Sequence, residues 1–359
     1  MTRTTNMTTL SAVLVLAAGL IGSAPISAQD KHEFAVVGTW GMLDHWTSRE
    51  SKFWNETLPA ASAGALTANA KPLTDLGMSG HEVMRDLKSG AFDFAHGVFL
   101  YVAGDSPVIE GADLAGMVPN LATFREVMNA YRPVLNKEFE AKFNSKILML
   151  YAWDEVNMLC KLPDDTPDQI ELSAFKGLKI RSYGSSISDF ITNTLQATPV
   201  PVPFGEVTQS LQKNTIDCGV TGVASAYDGK WWQVATHLVR TSLGYTASFL
   251  AVNNKVWNSL SEDHRQLIEQ EVAKLEDDMW AATARNDERG LNCNTNGPCE
   301  TENGGMKLVE LSDQAVADLK ASVNDNVVQQ WASRCKEKSA SCVDDWNNTI
   351  GALLGFSAR

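Results

Sequence analysis

Residues 178–186, LKIRSYGSS, place an arginine at the inner end of an apolar strand, where a permanent cation is uncommon. Arg181 directly follows the apolar residues, and the run that begins at Gly184 predicts the start of a helix. A strand followed at once by a turn and a helix is typical of α/β folds. Two partners for the cation remain open: an internal carboxylate, for example Asp217 or Glu206, or an anionic ligand.

The elements predicted around this stretch alternate along the chain between strand and helix. Strands are predicted at 33–38, 66–70, 91–95, 146–153, 178–181, 215–220, 249–252 and 306–311, and residues 157–160 are expected to continue the strand at 146–153 into a second sheet. Helices are predicted at 83–89, 187–195 and 206–212, after the Ser261 cap to about Arg289, and twice near the C-terminus. Mostly apolar strands that alternate with helices predict a parallel sheet covered by helices.

The overall composition is that of a soluble globular protein. The chain has 359 residues, of which 44% are hydrophobic and 20% charged, and this length suffices for two domains. Its net charge of −13 argues against nucleic acid and against an anionic membrane surface as partners. A small anionic ligand stays compatible with this charge, because the local field of a pocket can oppose the net charge.

The N-terminal segment has the pattern of a secretory signal peptide. Arg3 precedes an apolar run over residues 10–21, and small residues follow up to Ala28. The run is too short for a membrane anchor. We therefore expect a signal peptide at 1–28, cleavage after Ala28, and a periplasmic protein that no lipid tethers.

The six cysteines fit an exported protein, because an even number in an oxidising compartment suggests disulfides. Two pairs enclose short loops and are expected to be local disulfides, Cys293 with Cys299 and Cys335 with Cys342. Cys160 and Cys218 can pair if their strands are neighbours. A zinc site is the alternative, but the spacings lack the CxxC pattern and no histidine lies near the loops.

Three stretches, in this order, carry a resemblance to a known family. They are MRDLKSGAFDF at 84–94, FKGLKIR at 175–181, and PVPVPFGEV at 199–207, which leads on to Asp217. The chain resembles the solute-binding proteins of tripartite ATP-independent periplasmic (TRAP) transporters, of the dicarboxylate-binding type. The resemblance implies a two-lobed α/β fold, in which each lobe is a mixed sheet flanked by helices and crossover strands and a long helix join the lobes.

The same resemblance implies a division of the mature chain. Lobe I comprises residues 29–153 and 241–285, and lobe II comprises residues 154–240 and 286–359. The ligand is expected in the cleft between the lobes.

The resemblance also implies a role for Arg181, which matches the family's carboxylate-binding arginine. A guanidinium presents a planar fork of donors that fits a carboxylate in bidentate geometry. At the positions of two further ligand-binding residues of the family, a second arginine and an asparagine, this chain has Asn157 and Thr221. The site would then hold one cation and neutral donors, which favours a ligand with a single anionic group.

Further binding candidates follow from their position after predicted strands. They are Trp40, His96, Tyr101, Trp153 and Trp231. Ligands of open α/β sheets bind beyond the carboxyl ends of the strands, and aromatic side chains there can enclose an organic ligand. For each of these residues, packing in the core is the alternative interpretation.

The function implied by the resemblance is capture of a small organic anion and its delivery to the TRAP membrane permease, with closure of the lobes around the ligand. No cofactor or metal is implied, and a monomer and a homodimer both remain open. A protein that signals to a sensor kinase is an alternative with the same fold. An exported enzyme is a further alternative, although GxSxG and HExxH motifs are not found in the sequence.

Overall fold

The computed structural model describes residues 1–2 and 31–359, so residues 3–28 of the predicted signal peptide and its cleavage site lie outside the described residues. The strands are β1 (His32–Gly38), β2 (Leu66–Pro72), β3 (Phe94–Val98), β4 (Ser145–Cys160), β5 (Gln169–Ile170), β6 (Lys179–Ser182), β7 (Thr198–Pro201), β8 (Cys218–Gly222), β9 (His237–Arg240), β10 (Tyr245–Asn253) and β11 (Lys307–Leu311).

The helices flank these strands, and short 3₁₀ or π-helical turns adjoin several of them. The α-helices are α1 (Leu58–Ala61), α2 (Val83–Ser89), α3 (Phe99–Val102), α4 (Pro107–Glu110), α5 (Leu121–Phe143), α6 (Ser185–Asp189), α7 (Val207–Gln212), α8 (Val223–Asp228), α9 (Asn254–Ser259), α10 (Glu262–Asn294), α11 (Asp313–Ser322), α12 (Gln329–Lys338), α13 (Cys342–Trp346) and α14 (Ala352–Leu354). In the described part of the chain, no helix has the length and apolar character needed to cross a membrane.

Lobe I is built on a mixed sheet with the strand order β2-β1-β3-β10-β4. Strand β1 runs parallel to β2 and β3, whereas β10 is antiparallel to β3 and to β4. Helices α2 and α5 pack on this sheet. The left-handed backbone at Gly90, with φ of 81°, ends α2 and turns the chain into β3, a conformation that glycine adopts without strain.

Lobe II is built on a second mixed sheet with the strand order β7-β6-β8-β4-β9-β11-β5. Strand β6 runs parallel to β7 and β8, and β4 lies antiparallel between β8 and β9. The predicted fold class, with a mixed sheet in each lobe and helices on its faces, is confirmed.

Strand β4 crosses from one lobe to the other without interruption. Its residues up to Glu155 pair with β10, and those from Val156 onward pair with β8 and β9. The prediction that residues 157–160 continue the strand at 146–153 into a second sheet is confirmed. Between these two stretches Asp154 is buried, and its carboxylate accepts hydrogen bonds from helix α8.

Helix α10 is the second long connection between the lobes. It begins after Ser261, whose hydroxyl accepts a hydrogen bond from the His264 amide at 3.2 Å. The Trp280 indole donates to the Leu150 carbonyl of β4 at 2.9 Å. The later part of α10 packs on α8. The helix ends at Asn294, five residues beyond the predicted end at Arg289, and its length of about 50 Å lets it reach both lobes.

The C-terminal helices also contact both lobes. The Trp331 indole of α12 donates to the Pro107 carbonyl at 2.7 Å, whereas α12 also packs on α6 of lobe II. The Trp346 indole of α13 donates to the Gly111 carbonyl at 2.8 Å. The assignment of residues 286–359 to lobe II stays a prediction, since this segment contacts both lobes.

All three expected disulfides are present. Cys160 and Cys218 face each other across β4 and β8, with their Cα atoms 4.0 Å apart. The other two bonds join Cys293 to Cys299 at the end of α10 and Cys335 to Cys342 between α12 and α13. The prediction that Cys160 pairs with Cys218 if their strands are neighbours is therefore confirmed.

Candidate ligand-binding site

A small pocket, ≈ 30 Å³ in volume, lies between the two lobes. Lobe I contributes Trp40, Leu43, Val98, Tyr101, Trp153 and Thr246 to its walls, and lobe II contributes Arg181, Tyr183, Phe204, Thr221, Gly222 and Ser225. The structure thus brings five of the sequence-predicted candidates together at one site: Trp40, Tyr101, Trp153, Arg181 and Thr221.

Arg181, at the end of β6, is the cation of this pocket, although only 1% of its surface is exposed. Its Nε donates to the Val202 carbonyl at 2.9 Å, and Nη1 donates to the Val220 carbonyl at 2.6 Å. Nη2 donates to the hydroxyl of Tyr101 at 3.0 Å. These partners are neutral dipoles, so they orient the guanidinium without neutralising its charge.

Neither internal carboxylate considered from the sequence pairs with Arg181. Asp217 accepts a hydrogen bond from the Lys179 amide at 2.8 Å, and Glu206 is exposed. Within residues 31–359, no salt bridge involves this guanidinium. Because three of its five N–H donors are engaged, one on each Nη remains for another acceptor.

Aromatic rings form most of the remaining wall. The Trp40 ring lies 5.4 Å from that of Tyr101, 5.8 Å from that of Phe204 and 5.9 Å from that of Trp153, measured between centroids. The Trp153 ring stacks in turn on His45 at 4.1 Å. These mutual contacts hold the rings in fixed orientations, and their faces suit a flat or apolar ligand body.

Hydroxyl groups and a helix start complete the lobe II side. The Asp154 carboxylate accepts hydrogen bonds from the Ala224 amide at 2.6 Å and from the Ser225 amide and hydroxyl, both at 3.0 Å. A Cβ atom at Gly222 would collide with this carboxylate, so the close approach of the strands requires glycine there. Burial raises the pKa of Asp154. The crossover strand β4 thereby fixes the segment that carries Thr221 and Ser225.

Asn157 lies outside the lining of the pocket. Its Oδ1 accepts a hydrogen bond from the Ser242 amide at 2.9 Å, and its Nδ2 donates to Glu155 Oε2 at 3.1 Å. It therefore ties the crossover strand to the connection between β9 and β10. Asn157, which was expected to bind the ligand, is therefore engaged with partners inside the protein.

His96 and Trp231 also lie outside the lining. His96 is fully buried; its Nε2 accepts a hydrogen bond from the Trp54 indole at 3.2 Å, and burial lowers its pKa to about 3, so the ring is neutral. Trp231 packs behind the site, with the Cζ of Arg181 5.6 Å from its ring centroid.

Several lining residues were missed by reasoning from the sequence, among them Tyr183, Phe204, Ser225 and Thr246. Tyr183 follows Arg181 by two residues, the spacing that sets two strand side chains on one face, so a signal for it existed. Phe204 lies within the quoted stretch 199–207. Ser225 and Thr246 reach the pocket only through the packing of β4, α8 and β10, for which no local pattern exists.

A two-lobed α/β molecule, with a buried arginine and aromatic walls between its lobes, has the architecture of an extracellular solute-binding protein. The sequence profile of the family described as "Bacterial extracellular solute-binding protein, family 7" (DctP) matches residues 38–334, and the chain belongs to this family.

Two relatives illustrate the similarity in sequence. The chain is 26% identical over 226 residues to the 2,3-diketo-L-gulonate-binding periplasmic protein YiaO of Escherichia coli K12, covering 61% of this chain and 65% of that protein. The chain thus spans slightly less than two thirds of the length of this relative. It is 21% identical over 274 residues to the sialic acid-binding periplasmic protein SiaP of Vibrio cholerae, covering 76% and 82% of the two chains.

Solved structures show the same fold. A TRAP periplasmic solute-binding protein of Desulfovibrio salexigens with bound orotic acid superposes with a TM-score of 0.78 at 16% identity, covering 90% of this chain and 100% of that chain. DctP7 of Bordetella pertussis, an extracytoplasmic solute receptor binding pyroglutamic acid, gives 0.73 at 20% identity, with 88% and 99% covered.

Proposed function

We propose that this protein is the periplasmic solute-binding component of a TRAP transporter and captures a small organic anion with one carboxylate in the pocket between its lobes. The observation that carries the proposal is Arg181, a fully buried guanidinium whose partners are all neutral. A desolvated cation with free donors is a strong site for a carboxylate, because the pairing is both charge-assisted and bidentate.

The charges around the pocket support a ligand with a single negative group. Apart from Arg181, the polar side chains of the lining are the hydroxyls of Tyr101, Tyr183, Thr221, Ser225 and Thr246, and the Trp40 and Trp153 indoles. A second carboxylate of a ligand would have to be buried against neutral groups, at a considerable desolvation cost. Hydroxyl, carbonyl or amide groups of a ligand match these donors and acceptors better.

The walls of the pocket support a ligand with an apolar or aromatic body beside its carboxylate. Trp40, Trp153 and Phe204 contribute aromatic rings to the lining. In ligand pockets, apolar and aromatic walls provide most of the contact area, and a few placed polar groups fix the orientation of the ligand.

The division of the lining between the lobes supports a mechanism of closure. A ligand on Arg181 of lobe II would also touch Trp40 and Tyr101 of lobe I, so it would stabilise the closed arrangement over an open one. The closed form would then be the one that the membrane permease subunits recognise. In this proposal the pocket binds and releases its ligand unchanged, and the protein is not an enzyme.

A thermal-shift screen of residues 29–359 tests the proposal. The panel holds pyroglutamate, orotate, pyruvate, lactate, benzoate, succinate and ectoine. A ligand at about a hundred times its dissociation constant stabilises the folded state by roughly 2.7 kcal/mol and raises the midpoint by a few degrees. We expect at least one monocarboxylate to do so, and succinate to act more weakly.

Arg181→Met is the matched variant for this screen, because it keeps an unbranched stem and removes the charged guanidinium. We expect it to abolish the shift. A shift of unchanged size in Arg181→Met, or a panel in which only succinate or the zwitterion ectoine binds, would contradict the proposed site.

A further inference from the structure

Two tyrosines, one from each lobe, meet at the edge of the pocket. Tyr101 belongs to α3 of lobe I, and Tyr183 follows β6 of lobe II. Their rings are stacked, with centroids 6.1 Å apart and an angle of 29° between the planes. Both side chains are largely buried, with exposed fractions of 7% and 9%.

Each tyrosine is also hydrogen-bonded to the opposite lobe. The Tyr101 hydroxyl accepts from Nη2 of Arg181 in lobe II at 3.0 Å. The Tyr183 hydroxyl lies 3.3 Å from the Thr246 hydroxyl of lobe I. One hydrogen bond joins a tyrosine of lobe I to lobe II, and the other joins a tyrosine of lobe II to lobe I. We name this stacked pair, Tyr101 and Tyr183, the tyrosine clasp.

The tyrosine clasp separates the pocket from a groove that is open to solvent. The groove has a volume of ≈ 440 Å³ and is lined by both tyrosines and by residues of the two lobes, including His81, Gly184 and Pro201. On the groove side, Nδ1 of His81 lies 2.9 Å from the backbone carbonyl of Tyr101. Since both tyrosines line both spaces, the pair forms the wall between them.

We propose that the tyrosine clasp is the gate of the ligand pocket, and that Tyr101 is also a positioning residue that orients the Arg181 guanidinium toward the ligand carboxylate. This inference rests on the proposed function of the same site. The inference adds two things to the proposed function: the residues that govern release of the ligand, and the side of the pocket from which the ligand enters.

The physical basis is that the stacking of the two tyrosine rings and both hydroxyl hydrogen bonds of the tyrosine clasp join the two lobes. Such contacts exist only in the closed arrangement, so their loss destabilises the closed form relative to the open one. Among related complexes most changes in affinity appear in the dissociation rate, and the same is expected here. A tyrosine hydroxyl also suits the positioning role, because it holds Nη2 without competing for the charge as a carboxylate would.

Stopped-flow tryptophan fluorescence measures the gate, since Trp40 and Trp153 line the pocket. The probe is whichever of pyroglutamate, orotate, pyruvate, lactate and benzoate gives the largest thermal shift. We expect Tyr101→Phe to raise the dissociation rate about 10-fold and to change the association rate by less than about 3-fold, as loss of one charged hydrogen bond implies.

The second half of the clasp gives a smaller effect and an internal check. We expect Tyr183→Phe and Thr246→Val each to raise the dissociation rate about 3-fold, and the double variant to do no more, because both remove the same hydrogen bond. Tyr227→Phe is the matched control. Tyr227 lies outside the pocket, where its hydroxyl contacts Thr301 and Glu302 at 2.6 Å. The Tyr227→Phe variant should therefore release the ligand at the rate of the unchanged protein.

A distance measurement tests the gate independently of the identity of the ligand. Spin labels at the exposed positions Lys52 of lobe I and Lys213 of lobe II report the open and closed fractions by double electron–electron resonance. We expect Tyr101→Phe to lower the closed fraction, with and without probe.

The outcomes separate the two proposals. If the unchanged protein binds a probe but Tyr101→Phe keeps its release rate and closed fraction, the gate is overturned and the proposed function stands. If no panel member binds, the proposed function fails, and the distances decide the gate: equal closed fractions in the unchanged protein and in Tyr101→Phe overturn it.

Discussion

Two arginines, Arg181 and Arg334, lie between the lobes, but only Arg334 has carboxylate partners. Arg334 of α12 pairs with two carboxylates, Glu110 at 3.0 Å in the segment before α5 and Asp189 in α6 of lobe II. Arg181 donates to two backbone carbonyls and one tyrosine hydroxyl. One cation is neutralised within the protein, whereas the other is only oriented by its neighbours.

The difference shows how a structural cation can be told from a binding cation in one molecule. Two carboxylates offset the charge of Arg334, which is itself partly exposed, so little attraction is left for another anion. A buried cation held by dipoles keeps its full charge, and its desolvation is offset when an anion arrives. The comparison therefore predicts opposite results when each charge is removed.

The largest expected effect on folding stability is that of Arg334→Met. The substitution leaves the Glu110 carboxylate, whose side chain is 1% exposed, without its cation. Burial already raises the pKa of Glu110, and Arg334 acts against that rise. We expect a loss of about 3 kcal/mol in the free energy of unfolding by urea at pH 7, because the buried Glu110 carboxylate is left without its counter-ion; partial exposure of Arg334 keeps the loss at the lower end of that for fully buried pairs.

The affinity for the ligand should change little in Arg334→Met, since its pair lies outside the pocket lining. Arg334→Lys is the control that keeps the charge but not the fork of donors, and it should recover part of the loss. A loss below about 1 kcal/mol in Arg334→Met would show that the ion pair is solvated. Arg334 would then not be a structural cation that contrasts with Arg181.

A second pair of residues extends the comparison to carboxylates. Glu110 has a cation, whereas the buried Glu50 of lobe I accepts hydrogen bonds from the Thr39 amide at 2.7 Å and hydroxyl at 2.9 Å. The titratable side chains facing Glu50 are His96, with Nδ1 3.6 Å away, and Tyr151. Burial raises the pKa of Glu50 to about 7, and His96 is neutral there because its own pKa is about 3.

The consequence for Glu50 is a dependence of stability on pH with a defined sign. Between the ordinary pKa of 4.5 and about 7, the folded protein binds more protons at Glu50 than the unfolded chain does. The stability contributed by this site is therefore present at low pH and is lost as the pH rises through this window. We expect Glu50→Gln to remove this loss and to be more stable than the unchanged protein at pH 8 by about 2 kcal/mol.

Urea unfolding at pH 5 and pH 8 measures the effect of Glu50→Gln. Glu56→Gln is the matched control, because Glu56 is exposed on the same helical segment and should leave the pH dependence unchanged. A Glu50→Gln protein whose stability falls from pH 5 to pH 8 as steeply as that of the unchanged protein would argue against an ionising Glu50.

Local apolar runs and their end signals predicted most of the strands and helices, whereas the two-lobed fold with mixed sheets was implied by the family resemblance. The parallel sheet expected from the alternation alone was wrong, because β4 and β10 run antiparallel to their neighbours. Helix α5 was absent from that assignment although signals existed. The Asn120 side chain caps it by accepting from the Thr123 amide at 2.9 Å, and Asn144 ends it in a left-handed conformation with φ of 48°. Pro133 inside the helix works against a helical interpretation of this segment.

The prediction of site residues was limited by register rather than by residue type. Arg181 and Thr221 come from strands whose ends the sequence indicated, and both line the pocket. Asn157 and His96 lie on strands β4 and β3 next to the same region, but their side chains have partners away from the lining. Since successive side chains of a strand point to opposite faces, an uncertainty of one residue changes the side on which a candidate lies.

The smallest expected effect is on the stability of the ligand-free protein in Arg181→Met, and it decides the comparison most sharply. The substitution removes the cost of a buried cation without a counter-ion, but it also leaves the carbonyls of Val202 and Val220 and the hydroxyl of Tyr101 without a donor. These contributions oppose each other, so we expect a change within about 1 kcal/mol. Urea unfolding at pH 7, beside Arg334→Met, measures it. A loss as large as that of Arg334→Met would mean that Arg181 serves the fold, whereas near-neutral stability together with lost ligand binding means that the fold holds this charge in place for an anion from outside.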